Sequence, residues 1–321
     1  MSQAYANNKG KGKRNGKKKK PKRSQAPVAL IYFVTLIIFC GVFGFFAKLI
    51  IDRVSKSEAG EADVSGSYID SYNTLYARVN NENVISDLSI MRICPEQSRI
   101  IVIPMTAFTV SSADGGKTFR EVYKEGGIRN LQTAVANTFG ISVDYYVTLS
   151  NDSFEEVADI VGGFSYVPPE ELYYLDPASD KNDISFREGK PVMLSGRQIR
   201  LICQTNVFSK GRQGNMEFLG EALTGLINNA FDQVEITTNS LDVIYSKLTA
   251  NSSTDLSEND YKQHRVYIKD MLREQIQPAE ALVPEGDWLD DSHFRPSDGF
   301  LTTLYSTMEA TKSQQKTVEN E

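Results

Sequence analysis

Twenty consecutive residues without a charge, VALIYFVTLIIFCGVFGFFA from Val28 to Ala47, constrain this chain more than any other stretch. As a helix rising about 1.5 Å per residue they span roughly 30 Å, the hydrocarbon thickness of a bilayer. Buried helices of soluble proteins are rarely so long and so uniformly apolar. A cleaved signal peptide has a shorter apolar core and a small-residue site directly after it. Here KLIIDRVSKSEAGEA offers only the weakly site-like AGEA. The run therefore predicts one transmembrane helix within residues 27–51.

Charge then orients that helix. The net charge of -6 hides a division. Residues 1–23 carry ten Lys/Arg and no acid, leaving 25 Lys/Arg against 41 Asp/Glu in the rest of the 321 residues. Positive charge beside a first helix stays in the cytoplasm. This predicts a single-pass protein of the cell membrane, with residues 1–26 as a basic cytoplasmic tail and the acidic remainder extracellular. KKKKPKR is also the composition of a nucleic-acid patch. With a membrane helix starting within five residues of it, attraction to anionic lipid headgroups is the simpler role, and no nucleic-acid partner is expected.

Cys40 lies in the apolar run. Cys94 and Cys203 fall in segments read as strands, and nothing in the sequence sets those segments side by side. His264 and His293 stand far apart without cysteines nearby, which excludes a zinc-type spacing. There is no Walker loop and no G-x-S-x-G.

Residues 52–70 read as a polar linker. TLYARV (74–79), LSIMRIC (88–94) and RIIVIPM (99–105) read as strands, the last stopped by Pro104, with PEQS as a hairpin turn. GGIRNLQTAVANTFG (126–140) has helical spacing and a Gly140 stop. VDYYVTLS (143–150) is a strand. DSFEEVADIVGG (152–163) is a helix capped by Asp152 or Ser153, and FSYVP is a short strand. Residues 170–183 form an acidic, aromatic loop. GRQIRLICQT (196–205) carries a helical turn or strand into a polar, basic loop. NMEFLGEALTGLINNAF (215–231) is an amphipathic helix. VEITT is then a short strand, SLDVIYSKL a helix, and a longer helix lies within 255–274. The alternation predicts an α/β fold: a layered αβα domain with a central mixed sheet. It covers residues 71–235, with 236–311 as its C-terminal part and 312–321 as a disordered tail.

The order SDLSIMRICPEQSRIIVIPM, GGIRNLQTAVANTFGISVDYYVTLSNDSFEEVADIVGGFSYVP, ISFREGKPVMLSGRQ and NMEFLGEAL resembles the LytR-CpsA-Psr (LCP) family over roughly residues 73–231. GISVDYYVTLSNDSFEEVADIVGGFSYVP is the most specific piece. The resemblance implies an envelope protein, mostly of Gram-positive bacteria. Such a protein transfers a glycopolymer from a polyprenyl-pyrophosphate carrier to peptidoglycan or another acceptor. It also implies Mg2+ held through aspartates at the pyrophosphate, arginines around the phosphates, and a lipid tunnel lined by residues such as Leu131, Val135, Phe154, Val157 and Ile160. Arginine forks and a divalent cation are the groups a diphosphate leaving group needs.

The family pattern is incomplete here. Met105 and Thr106 stand where an Arg-Asp pair is usual. Gln204 and Asn206 replace two arginines. Arg212 is kept, while Gly214 and Asn215 fall near a second basic pair. Asn80, with Asn81 beside it, stands at the first metal aspartate, and Asp87 keeps the second. Thr118 and Arg120 replace a Lys-x-Asn motif next to Lys117. The candidate phosphate- or lipid-binding residues are thus Arg212, Arg120, Lys117, Gln204 and Asn206, and the candidate metal ligand is Asp87, which equally suits a turn cap. Lys210, Arg197 and Arg200 are further basic residues able to compensate. Three readings follow: a phosphotransferase with altered residues, an inactive relative that binds lipid carrier or wall polymer, and a membrane-anchored scaffold or regulator.

Overall fold

The computed structural model describes residues 70–250 and 252–312. The apolar run of residues 28–47, the basic tail, nearly all of the linker and the segment 313–321 lie outside the described residues. Among the described residues no helix is long and apolar enough to cross a membrane.

The centre is a five-stranded mixed sheet. Strands β1 (Tyr72–Val79), β2 (Ile85–Cys94) and β3 (Arg99–Met105) form an antiparallel meander, with one 3-10 turn at Pro95–Gln97 joining the last two. Helix α1 (Phe119–Phe139) leads to β4 (Tyr145–Ser150), parallel to β1 on one edge. Helix α2 (Asn151–Ile160) is followed by two short antiparallel pairs: β5 (Phe164–Tyr166) with β8 (Val192–Leu194), and β6 (Leu172–Tyr174) with β7 (Ile184–Phe186). Four helices come next: α3 (Gly196–Gln204), α4 (Arg212–Asp232), α5 (Val234–Thr249) and α6 (Glu258–Arg273). Strand β9 (Ala279–Ala281) adds to the other edge, parallel to β3, giving the order β4-β1-β2-β3-β9. A hairpin of β10 (Gly286–Asp290) and β11 (His293–Pro296) and helix α7 (Asp298–Ala310) complete the domain.

Period-two alternation divides β3 between two cores. Ile101, Ile103 and Met105 pack with Leu131, Val135 and Phe139 of α1 and Phe300 and Leu304 of α7. Ile100 and Val102 face the opposite way, toward α2, α4 and α6. The result is three layers, helices on both faces of a mixed sheet, as the alternation of elements predicts.

Several local expectations are corrected. Helix α1 begins at Phe119 rather than near 126, because Thr118 and Glu121 form a capping box. Gly127, at φ 69, lets the chain kink and continue. The cap of α2 is Ser150, which accepts from the Ser153 amide, rather than Asp152 or Ser153. Pro104 lies inside β3 opposite Ser89, beyond the Ile100–Val102 span that pairs with β9, so its missing N–H breaks no ladder on that side. Part of the 170–183 loop is β6. Two apolar runs change class. LICQ, including Cys203, is helical in α3, started by the Ser195–Gln198 capping box. VEITT opens α5: its β-branched residues suit a strand, but the chain continues for sixteen helical residues with Thr237, Leu241, Ile244 and Leu248 on one side. Cys94 and Cys203 are both free thiols.

Candidate functional site

On the face of the sheet away from α1 the core is hollow. A cavity of about 280 Å³ lies between the sheet and helices α2, α4, α5 and α6. Its walls are almost wholly apolar: Met91, Ile93 and Ile100 from the sheet, Phe154, Val157 and Ala158 from α2, and Leu219, Leu223, Leu226 and Ile227 from α4. The α5 stripe closes another side. The expected tunnel residues Phe154 and Val157 line this cavity. Leu131 and Val135 do not, since they belong to the filled core under α1, and Ile160 is not part of the wall either.

Four groups on β1 and β2 bring polarity to the cavity wall: Tyr76 opposite Ser89, and Arg78 opposite Asp87. Arg78 and Asp87 are directly opposite on the antiparallel strands β1 and β2, next to a bulge between Arg78 and Val79. Arg78 is 3% exposed and Asp87 9%. Arg78 Nε donates to Asp87 Oδ2 at 2.6 Å, and Nη2 ion-pairs with the same carboxylate. Nη1 donates to Asn151 Oδ1 at 2.6 Å, and the guanidinium lies over the Phe154 ring, 5.5 Å from its centroid. Burial pushes the Tyr76 hydroxyl up to about 12, so it stays protonated.

Asp87 and Leu219 also line a second, polar pocket of about 90 Å³. This pocket gathers Gln204, Asn206 and Arg212, with Thr106 and Phe108 on its rim. The Arg212 guanidinium stacks 4.0 Å from the Phe108 ring centroid, and that of Arg120 lies 5.7 Å from it. Neither makes an ion pair with a described residue, so both are available to an incoming anion.

The structure therefore brings Asp87, Gln204, Asn206 and Arg212 to one pocket and Arg120 to its edge. Lys117 is elsewhere engaged: it is exposed and bonded to Glu125 at 2.5 Å, which raises its pKa. Lys210 pairs with Glu217, Arg200 with Glu155, and Arg197 donates to Asn182. The residues at which the sequence departs from the family pattern are engaged in local structure. Asn80 Oδ1 accepts the amides of Glu82 and Val84 in the β1–β2 turn. Asn215 Nδ2 gathers the carbonyls of Ile202, Cys203 and Thr205 at the end of α3. A Cβ at Gly214 would lie 2.4 Å from that of Phe208, which leaves no room for a side chain. Burial pushes the Cys203 thiol well up, so the pocket holds no thiolate nucleophile there.

The magnesium ion that the family resemblance implies does not fit these residues. Its one retained carboxylate, Asp87, is taken up by Arg78, and among the described residues no three His, Cys, Asp or Glu side chains converge on a point. Sequence reading passed over Arg78. The signal was present: it is the one charge in TLYARV, and period two puts it on the same side as Tyr76, opposite the core-facing Leu75 and Ala77.

Fold and site together define a class: a three-layer α/β domain with an apolar hollow that ends at a polar pocket flanked by arginines. Residues 89–308 match the LytR_cpsA_psr family, and the chain belongs to it. No curated protein sequence matches the chain. Among solved structures it is similar to a protein of Eubacterium siraeum described as a transcription regulator, with 15% identity and a TM-score of 0.66 over 78% of this chain and 98% of that one. It is also similar to TagV of B. subtilis, at 17% identity and a TM-score of 0.59 over 75% and 96% of the two chains. A third is TagT bound to LIIa-WTA, at 14% identity and a TM-score of 0.59 over 79% and 97%. At these identities the likeness is one of fold.

Proposed function

We propose that this chain is a membrane-anchored envelope protein that holds the lipid-linked phosphate carrier of a wall glycopolymer and does not transfer the polymer. The apolar run anchors it, the basic tail stays in the cytoplasm, and the described domain works outside the membrane, where peptidoglycan and the polymer are found. One observation carries the holding role: an apolar hollow shaped for a hydrocarbon tail ends beside a pocket with Arg212 in its wall and Arg120 at its edge, and neither arginine has an ion-pair partner among the described residues. Family membership and the structure titled TagT bound to LIIa-WTA support the choice of ligand class.

Transfer is disfavoured by charge. Stabilising a departing diphosphate calls for several fixed cations, each worth roughly 10²–10³ in rate. Gln204 and Asn206 donate hydrogen bonds without charge. The full chain in lipid nanodiscs, given a prenyl pyrophosphate and followed for both binding and phosphate release, tests the proposal. Binding without release is expected, and Arg212→Gln weakens it about tenfold. Phosphate release with turnover would overturn the holding role in favour of a rebuilt enzyme. Absence of binding would leave a scaffold.

A further inference from the structure

Asp87 sits where a carboxylate should meet a metal, yet its partner is a side chain of the same sheet. The substitutions around it are consistent in charge. A dication held by two aspartates leaves a site neutral, and so does one guanidinium held by one aspartate. Here the first aspartate is replaced by Asn80, whose amide oxygen is consumed in the turn, and Arg78 supplies a single positive charge two residues earlier. The arginine is fixed from three sides, by Asp87, by Asn151 and by the face of Phe154. Its Nη2 is enclosed and in ionic contact with Asp87 Oδ2, and because this nitrogen carries two N–H groups, that one oxygen leaves at least one of them without an acceptor. A buried N–H without an acceptor is costly, and a ligand oxygen would satisfy it. Arg78 lines the apolar cavity and Asp87 lines both pockets, so this N–H stands where a tail and an anionic head would meet.

We infer that Arg78 takes the place of the divalent cation, and that the site receives an apolar-tailed phosphate through its Nη2 without any metal. The inference rests on the lipid-holding reading above and assigns that site its headgroup contact. Two consequences separate it from a purely structural role for the ion pair. Binding does not depend on a dication, and removing Arg78 weakens the charged ligand more than its uncharged counterpart.

The test uses the full chain in nanodiscs and calorimetry with two probes, geranyl pyrophosphate and the uncharged alcohol geraniol. Wild-type affinity for geranyl pyrophosphate is expected to change less than about twofold between chelator and saturating magnesium. The paired substitution Arg78→Gln with Asp87→Asn removes both charges at once and leaves no buried ion unmatched. It is expected to weaken geranyl pyrophosphate about ten- to a hundredfold and to leave geraniol unchanged. A tightening of about tenfold or more by magnesium would overturn the inference, as would unchanged affinity in the paired variant. Geraniol binding with geranyl pyrophosphate no tighter would overturn the inference alone. Failure of both probes would overturn the lipid-holding reading, and the inference with it.

Discussion

The two faces of the central sheet draw on the same residue types and are filled differently. Under α1 and α7, Leu131, Val135, Phe139, Phe300 and Leu304 close on Leu75, Leu88, Ile101 and Ile103 in a continuous core. On the other face Phe154, Leu219, Leu223 and Leu226 stand around open space, and the α5 stripe only partly covers it. Folding favours dense interiors, because a void forfeits the dispersion contacts of every atom that lines it. One face is packed for stability, while the other keeps a volume whose retention folding alone does not explain. Each face holds a buried arginine, and the two are held differently: Arg92, on the filled face, donates to Asn73, Thr311 and the Met308 carbonyl, whereas Arg78, at the end of the hollow, is ion-paired with Asp87.

The largest effect expected from breaking this contrast comes at the ion pair. Arg78→Leu strands the Asp87 carboxylate in a buried site and is expected to cost about 3–5 kcal/mol in urea unfolding, most of it recovered when Asp87→Asn is added. A loss below about 1 kcal/mol, the range of a solvated pair, would mean that the pair is not buried in solution. Next comes the same truncation on each face. Leu131→Ala in the filled core should cost about 2–5 kcal/mol, whereas Leu226→Ala, whose side chain already borders space, should fall at or below the low end. Equal losses would show that the hollow is closed in solution. Filling the hollow gives a smaller change in stability: Ala158→Phe should alter it by less than about 1 kcal/mol while lowering prenyl-ligand affinity tenfold or more.

The smallest effect is one of pH, and it falls on the hollow side. His264 of α6 stacks on Tyr72 at 4.0 Å between ring centroids, with Tyr145 edge-on at 5.3 Å. Burial lowers its pKa, against a weaker upward pull from Asp260. The folded state therefore holds the neutral ring, and the unfolded chain takes up the proton first. The contribution of His264 to stability is constant above about pH 6.5 and is lost as pH falls below that value. His264→Phe should remove that component of the decline, which unfolding curves between neutral and mildly acid pH would show.

The layered fold was legible because strands β1 to β4 and helix α4 announce themselves by periodicity, and the ends of helices α1 and α2 are marked by Gly140 and by Gly162-Gly163. What was not legible followed from tertiary context. VEITT has strand-forming residues, but α5 takes its identity from the hollow it borders, a feature no local pattern encodes. LICQ read as a strand because four residues cannot distinguish two periods, and the Ser195–Gln198 cap that decides it lies upstream. At the site, Gln204, Asn206 and Arg212 line one pocket. Lys117 does not line that pocket and pairs with Glu125, eight residues away across a helix start. Arg78 was missed because a charged residue in a short strand reads as solvent-facing until its neighbour across the ladder is known.

The pairing of Arg78 with Asp87 also bears on how such a site can change over generations. Building a two-carboxylate metal centre here would require an acid at Asn80 and the loss of Arg78. Replacing Asn80 first removes the amide oxygen that accepts the Glu82 and Val84 amides and adds a negative charge beside a pair that is already balanced. Removing Arg78 first strands Asp87. Each single step passes through a less stable intermediate, so the present arrangement is held in place by the order in which substitutions must occur. Adding arginines back at Gln204 and Asn206 would leave that barrier untouched.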